Sequence, residues 1–431
     1  MRYLILSLVI VLGAGLFFVF SKTTNFEVMP SQNGTSTDNA LTLPSIPEAS
    51  TSTLSNNLQP ITHNKQPDIE NQRPLSNPPE VIKAIYITSW VAGIDSRMNE
   101  LIKMIKGTEL NAVVIDIKDY SGYITYDIQN SEVEKYQAKE IRTPRINSLI
   151  KKLHDEEIYV IARITVFQDP VLAKARPDLA TQSKLTGKTW KDRKGLAWMD
   201  PASKEVWSYN ISIAKDAASR GFDELNFDYI RFPSDGNMDD LVYPIYDGKN
   251  TKSEIIKSFM KHLREQTASN KISADLFGLA TINPNDLGIG QIIEDAYQYF
   301  DFVCPMVYPS HYASGFLGYK NPALYPYEVI KYSMDSALKR LQNHELGITN
   351  NGTTTVSTTP IQDSSFIIHN SKLRPWLQDF DLGADYTAEM VKKEIQAVYD
   401  AEAACPEPCE ALVRGWMLWD TKNKYQLMTN D

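Results

Sequence analysis

The segment Phe222–Gly236 reads FDELNFDYIRFPSDG, with bulky apolar residues alternating with polar ones as in a β-strand. Asn226 and Asp228 are two residues apart, so they share one face of that strand. Polar side chains on a buried strand are unfavourable unless they bind a partner. Asp228 is therefore the first candidate for chemistry, because a carboxylate can serve as a nucleophile, a base or an acid.

Other strand-like segments carry polar or aromatic residues two or four positions apart, which again places them on one face. They are Asp116 with Lys118, Ser273 with Asp275, Arg374 with Trp376 and Gln378, Trp416 with Asp420, and the single Arg163. Glycosidic bond cleavage needs one carboxyl group as acid and another as nucleophile or as base for water. We predict Asp228 as the nucleophile, kept ionised by Arg231 or Arg163, and Asp275 as the acid/base. Asp116 competes for either role, and structural ion pairs are the alternative explanation of such residues.

Aromatic side chains fall near the ends of the same segments. The apolar faces of sugars stack on aromatic rings, while polar neighbours bind hydroxyl groups. Trp419 has the opposite parity to Trp416 and is expected in the core. The predicted substrate-binding residues are Trp90, Lys118, Arg163, Asn226, Arg231, Tyr308, His311, Trp376, Gln378 and Trp416.

Alternating strand-like and helical segments must position these residues. The strand-like segments begin at Ala84, Ala112, Tyr159, Glu224, Ile272, Phe302, Leu373 and Gly415. Amphipathic stretches separate them, with helical stripes at Ile94, Met98, Leu101, Ile102 and Ile105 and at Ile146, Leu149, Ile150 and Leu153, and an N-cap signal at Asp200-Pro201. Eight such repeats predict an α/β fold, a (β/α)8 barrel, with its active site at the C-terminal strand ends. The alternative, a doubly wound sheet, lacks its glycine-rich phosphate loop here.

Two long connections differ in where they should lie. The connection from Phe167 to Asp200, with Trp190 and Trp198, follows a strand and is expected to overhang the site. Gly347–Ser371 precedes a strand and belongs to the opposite face. Cys405 and Cys409 also precede a strand, and they form either a disulfide or two free thiols.

The N-terminus differs in composition from the rest of the chain. Arg2 is followed by an apolar run that suits a signal anchor over residues 1–21, with a cleaved signal peptide as the alternative. Residues 22–79 are rich in Ser, Thr and Pro, which predicts a disordered linker. Residues 80–431 then form the barrel, and either N-terminal alternative puts it outside the cytoplasm.

Charge and composition exclude several classes of partner. The net charge of −9 disfavours nucleic acid, which needs a basic surface. The 3 cysteines and 6 histidines show no metal-ligand spacing, so no metal site and no cofactor are expected. We expect a monomer that acts on a polysaccharide.

Several motifs together carry a family resemblance: VIDIKD, FDYIRFPSDG, DLGIGQ, PMVYPSHY, RPWLQDF and GWMLWD. From about Lys83 to Asp420 the chain resembles a bacterial family of glycoside-hydrolase-like barrels. The resemblance implies the barrel fold and a carbohydrate substrate. In related sugar-hydrolase barrels a strand-four aspartate is the nucleophile and strand five supplies the acid, usually a glutamate, which is similar to Asp228 and Asp275.

Three functions follow as alternatives. The leading hypothesis is a membrane-tethered glycoside hydrolase acting on a cell-wall or extracellular polysaccharide. The second is a non-catalytic carbohydrate-binding barrel, which the number of strand-end carboxylates disfavours. A metal-dependent deacetylase comes last, because His311 alone supplies a strand-end imidazole.

Overall fold

Eight parallel strands close into a barrel in the computed structural model, which describes residues 68–345, 371–405 and 412–426. The strands are β1 Ile82–Ile87, β2 Ala112–Lys118, β3 Tyr159–Thr165, β4 Glu224–Asp228, β5 Lys271–Phe277, β6 Phe302–Met306, β7 in two pieces (Lys372–Leu373 and Trp376–Gln378) and β8 Gly415–Trp419. Neighbours along the chain pair in parallel, and β8 pairs with β1 to close the barrel. The predicted (β/α)8 fold is confirmed.

Helices follow the strands along the described chain. They are α1 Ser89–Ala92, α2 Asp95–Lys106, α3 Ser131–Lys135, α4 Ile146–Asp155, α5 Pro170–Ala175, α6 Lys204–Ser219, α7 Lys252–Gln266, α8 Ile293–Tyr299, α9 Pro326–Glu345 and α10 Ala388–Ala403. The predicted apolar stripes are buried in α2 and α4, although Ile94 precedes α2 and is 38% exposed. The N-cap prediction at Asp200 is wrong, because the hydroxyl of Ser203 caps α6 by accepting from Val206 N.

The alternation of the strands divides the buried side chains into two sets. Outward residues such as Ile85 and Val113 pack with the helices, whereas inward residues such as Tyr86 and Val114 fill the barrel lumen. Burial of the outward set removes a large apolar area from water and is the main source of stability. The lumen therefore also holds the polar residues on the inward faces of the strands, such as Asn226 and Asp275.

A β-bulge in β2 breaks the alternation on which one prediction rested. Asp116 aligns with Arg163, but Lys118 aligns with Ile164, so the register shifts between them. Lys118 consequently lies on the outer side of β2, where its Nζ is 2.8 Å from a carboxylate oxygen of Asp169 and 3.1 Å from Oδ1 of Asn210. The prediction that Lys118 shares a face with Asp116 is wrong.

The connection from Phe167 to Asp200 folds back on itself at the C-terminal end of the barrel. Gln168 pairs with Trp198 through an isolated bridge, and the short strand Gln182–Ser183 pairs with Leu241–Val242 from the connection after β4. The two connections thus support each other beside the strand ends, as their position in the sequence predicts.

Residues 68–79, assigned from sequence to the linker, hydrogen-bond to the barrel domain. Asp68 accepts hydrogen bonds from Asn147 N and Ser148 N, and Leu75 N donates to Asp223 Oδ1 at 2.6 Å. Because Asp223 directly precedes β4, Leu75 is fixed at the N-terminal end of that strand, opposite the predicted site. The ordered domain therefore begins earlier than residue 80.

Several predictions concern parts of the chain outside the described residues. These are the anchor at 1–21, the linker up to residue 67, nearly all of Gly347–Ser371, and Cys409. Cys405 takes part in a disulfide, and its predicted partner is Cys409. Among the helices of the described ranges, none is both long and apolar enough to cross a membrane.

Candidate active site

Three aspartates surround Arg163 in the upper lumen, towards the C-terminal ends of β2, β4 and β5. Nη1 of Arg163 donates to Asp116 Oδ1 at 2.6 Å, and Nη2 donates to Asp228. Nε lies 3.6 Å from Oδ2 of Asp275. The side chains of the three aspartates are no more than 7% exposed. The structure thus brings the three predicted carboxylates together, and Arg163 rather than Arg231 is the ion-pair partner of Asp228.

Asp228 is held at the point where β4 ends. Its Oδ1 accepts the backbone N–H of Tyr229 at 2.6 Å, and its backbone oxygen accepts from Val166 N at 3.0 Å. Tyr229 has φ of 54°, in the left-handed region that non-glycine residues seldom adopt. Strained backbone of this kind clusters at functional sites, so the turn that holds the Asp228 carboxylate is itself a functional signal.

Asp275 differs from Asp228 in its surroundings. Its Oδ1 accepts hydrogen bonds from Trp376 Nε1 at 2.7 Å and Asn226 Nδ2 at 2.9 Å. Its Oδ2 has no hydrogen-bond partner among the described residues. Burial, followed by the negative charge of Asp228, raises the pKa of Asp275 to about 8. Asp275 is therefore protonated at neutral pH.

Asp116 completes the cluster from the β2 side. It accepts hydrogen bonds from the hydroxyl of Tyr86 and from Arg163. Burial raises its pKa to about 6, although the positive charge of Arg163 opposes the shift. Both protonation states of Asp116 are thus populated near pH 6.

An aromatic wall lines one side of the cluster. The ring of Trp419 stacks on Tyr86 with centroids 3.8 Å apart, meets Trp376 edge-on at 5.3 Å, and lies 4.8 Å from the guanidinium carbon of Arg163. Trp416 instead packs among the outer residues, and its Nε1 donates to Tyr399 OH in α10 at 3.1 Å. The expectation that Trp416 faces the site and Trp419 the core is wrong, because the inward residues of β8 are Met417 and Trp419.

A second aromatic group, Tyr308, His311 and Phe380, continues this wall, with Tyr308 in the same buried cluster as Trp376 and Trp419 and Phe380 packed against it. The ring of Tyr308 lies 5.0 Å from that of His311 and 5.4 Å from that of Phe380. Gln378 links the two segments that carry these rings. Its Nε2 donates to Phe380 O at 2.9 Å, and its Oε1 accepts from Ser310 N at 3.2 Å. Burial lowers the pKa of His311 to about 4, so its imidazole is neutral at pH 7.

Two predicted binding residues lie nearer the mouth than the carboxylates. Trp90 is 56% exposed, and its ring lies 4.7 Å from the guanidinium carbon of Arg142. Arg231 is clamped between the rings of Trp198 and Phe277, each 4.6 Å from its guanidinium carbon. Both contribute to a rim around the cluster.

Sequence reasoning missed two residues of the site, Tyr86 and Trp419. In β1 the polar-tipped Tyr86 alternates with the outward Ile85 and Ile87, and this pattern was a usable signal for an inward side chain. Trp419 carried no such signal, because the strand sequence GWMLW is apolar on both faces. Within the described ranges, no three His, Cys, Asp or Glu side chains are grouped so as to hold a metal ion.

A (β/α)8 barrel with paired carboxylates at its C-terminal strand ends has the architecture of the barrel glycoside hydrolases. Residues 84–425 match the family described as "Putative glycosyl hydrolase domain", and the chain belongs to that family. The family resemblance read from the motifs is thereby confirmed.

Two solved structures are similar to the chain, the first in fold and the second in sequence over about half of its length. The glycoside hydrolase domain of PgaB (BpsB) from Bordetella bronchiseptica aligns over 79% of this chain and 94% of its own, with a TM-score of 0.52 and 14% identity. A hypothetical protein from Ruminiclostridium thermocellum ATCC 27405 is 36% identical over 48% of this chain and 98% of its own, with a TM-score of 0.42. Among curated proteins, none matches the chain.

Proposed function

We propose that the protein is a glycoside hydrolase that cleaves a cell-wall or extracellular polysaccharide with Asp228 and Asp275. One observation carries the proposal. Two carboxyl groups on neighbouring strands contact the same guanidinium group, yet one of them is held protonated. A pair of titratable groups with opposed protonation is the arrangement that acid and nucleophile roles require.

In the proposed reaction Asp275 donates its proton to the glycosidic oxygen as the bond to the anomeric carbon breaks. Asp228, paired with Arg163, either attacks the anomeric carbon as a carboxylate or takes a proton from the attacking water. If Asp228 attacks, water later releases the sugar and its proton returns to Asp275. Both routes add one water across the bond. The route through attack by Asp228 restores both carboxyl groups directly, whereas the route through water leaves the proton on Asp228, which releases it to solvent while Asp275 takes one up before the next turnover.

The remaining residues of the cluster would tune and position this pair. Arg163 stabilises the negative charge of Asp228, and Asp116 with Tyr86 fixes the guanidinium from the other side. Trp419 and Trp376 offer rings on which a sugar can stack, while Asn226 and Trp376 orient the carboxyl of Asp275. Asp116 is the competing acid, with a pKa raised less than that of Asp275.

The proposed place of action is outside the cytoplasm, with the chain tethered by its N-terminus. The apolar run from Tyr3 to Phe20, behind Arg2, supports this part of the proposal. A polysaccharide is a substrate that such a location supplies.

A polysaccharide panel tests the proposal. Purified full-length wild type, Asp228→Asn and Asp275→Asn are incubated with each glycan, and the released reducing ends are measured. We expect wild type to cleave at least one glycan, and both variants to bind that glycan without cleaving it. Unchanged cleavage by Asp228→Asn would remove Asp228 from the mechanism. Tight binding of a glycan with no cleavage of any by wild type would favour the carbohydrate-binding alternative.

A further inference from the structure

Arg231 is a buried cation at the mouth of the barrel. Its side chain is 8% exposed, and its Nη1 donates to Phe232 O at 3.1 Å and to Ser234 Oγ at 3.0 Å. Among the described residues, its Nε and Nη2 have no hydrogen-bond acceptor, and neither nitrogen is sealed from solvent. These two nitrogens are therefore open to a ligand.

The other buried arginines of the described ranges all have carboxylate partners. Arg163 contacts three aspartates, Arg142 pairs with Asp119 and Glu140, Arg264 with Asp301, and Arg374 with Glu224. Arg231 forms no ion pair with any described carboxylate. The charges of Asp228, Asp235 and Asp192 act on it without direct contact, and burial still lowers its pKa, whereas the pKa values of Arg142, Arg163 and Arg374 are raised. A desolvated charge without a counter-ion is unfavourable, so the missing partner calls for an explanation.

The position of Arg231 relates it directly to the candidate catalytic pair. Phe277, on which the guanidinium stacks, is two residues beyond Asp275 in β5 and so points to the same lumen side. Arg231 itself follows Asp228 by three residues. The ring of Trp198 lies 4.6 Å from the guanidinium carbon and fixes its plane together with Phe277. The cation is thus held between two aromatic rings at the mouth of the lumen, beyond the ends of the two strands that carry Asp228 and Asp275.

The loop after β3 adds positive charge to this side of the mouth. Arg193 and Lys194 are exposed at its tip, and both act electrostatically on Asp235. The nearby Asp192 is already satisfied, because it accepts from Trp198 Nε1 and Gln168 Nε2 and from two backbone N–H groups. Asp235 is half-buried and forms no ion pair with Arg231.

We infer that Arg231 binds an anionic group, a carboxylate or phosphate, on the sugar chain next to the cleaved bond. The inference rests on the proposed function, since it assigns a substrate class to the same site. A guanidinium presents its N–H groups in a fixed fork that suits the oxygens of carboxylate and phosphate. An acidic polysaccharide would supply the counter-ion that the protein itself lacks at Arg231.

Calorimetric binding to matched glycans provides the test. The probes are oligogalacturonate, the same oligosaccharide with its carboxylates methyl-esterified, and poly(glycerol phosphate), each titrated into full-length wild type. Esterification removes the charge at the cost of one added methyl group, and we expect it to weaken binding by about ten-fold or more, as for a lost charge-assisted hydrogen bond. Preference for poly(glycerol phosphate) would identify phosphate as the anion, and preference for oligogalacturonate would identify carboxylate.

Variants locate the effect. Arg231→Gln is expected to abolish the difference between free and esterified chains, and Arg231→Lys to keep part of it. The control is Arg220→Gln. Arg220 also stacks on an aromatic ring, that of Tyr126, but it is paired with Asp216. It lies at the C-terminal end of α6, just before β4 begins, whereas Arg231 lies just after β4 ends. We expect its binding to equal that of wild type.

The inference is overturned if wild type binds neither acidic chain, if esterification leaves binding unchanged, or if Arg231→Gln keeps the full preference for charge. The first two outcomes come from wild type alone, so a folding defect in the variant cannot obscure them. Cleavage of a neutral polysaccharide with no effect of Arg231 would leave the proposed function intact while removing the inference. Charge-selective binding without cleavage would support the role of Arg231 in binding an anion and contradict the proposed function.

Discussion

The indole Nε1 of Trp376 donates a hydrogen bond of 2.7 Å to Oδ1 of Asp275, joining β7 to β5 across the lumen. Together with Asn226, the indole fixes the orientation of this carboxyl and leaves Oδ2 without a hydrogen-bond partner among the described residues. With Oδ1 held by two donors, the Asp275 carboxyl is suited to donate a proton from Oδ2.

Replacing Trp376 with Phe should shift the pH dependence of activity. The hydrogen bond stabilises the ionised carboxylate, so its loss raises the pKa of Asp275 further. An acid must be protonated to act, so the alkaline limb of kcat/KM moves to higher pH in Trp376→Phe. Trp416→Phe, behind the strand, is the matched control and should keep the wild-type profile. A limb that stays in place or moves to lower pH would contradict this role.

Asp275→Asn should gain thermal stability relative to wild type as the pH rises. A carboxyl whose pKa is raised on folding, here from 3.8 to about 8, stabilises the folded state at low pH and loses that contribution as the pH rises towards 8. The amide does not titrate. We therefore expect the difference in Tm, variant minus wild type, to increase from pH 5 to pH 8. If the difference in Tm stays constant or shrinks over this pH range, ionisation of Asp275 does not destabilise the folded state, and the prediction is wrong.

The two tryptophans of β8 should respond differently to truncation. Trp419→Ala removes the ring beside Arg163 and should raise KM for the polysaccharide or lower kcat. Trp416→Ala leaves a cavity behind the strand and should cost about 3–5 kcal/mol of stability, without changing the kinetics of the folded enzyme. Steady-state kinetics and chemical unfolding separate the two effects. If Trp416→Ala impairs the kinetics and Trp419→Ala lowers only the stability, then Trp416 rather than Trp419 faces the lumen.

Glu224 and Arg374 form a buried ion pair in the lower lumen, where both side chains are fully buried. Glu224→Gln leaves the guanidinium without its counter-ion, which typically costs about 3–5 kcal/mol. We expect a lower Tm with unchanged kcat at temperatures where the variant remains folded. Recovery of stability in the double variant with Arg374→Met would support this explanation. A large loss of kcat in the folded single variant would extend the active site to the base of the barrel.

The strand pattern predicted the barrel and the convergence of Asp116, Arg163, Asp228 and Asp275. The reason is physical: parallel strands bring their C-terminal ends to one face, and polar residues spaced by two mark the inward side. The sequence offered both Arg163 and Arg231 as partners for Asp228. It could not decide between them, because the distance from Asp228 to each guanidinium depends on how the closed barrel places the side chains.

The errors arose where alternation gave no marker or was interrupted. A bulge reverses the face of Lys118, and one inserted residue leaves no trace in the sequence AVVIDIK. In β8 the apolar residues occupy both faces, so the inward set could not be told from the outward set. The order of residues 68–79 was missed because it depends on partners such as Asp223, far along the chain.

The dependence of rate on the leaving group tests the central claim most directly. Aryl glycosides of the sugar identified by the polysaccharide panel are compared for wild type, Asp275→Asn and Asp228→Asn. A good leaving group departs without a proton, so Asp275→Asn should approach the wild-type rate on the most activated glycoside and fall about 10²- to 10⁴-fold on the least activated one. Asp228→Asn should be slow on all of them. Equal loss on every glycoside in Asp275→Asn, or near-normal rates in Asp228→Asn, would contradict the assignment of acid and nucleophile.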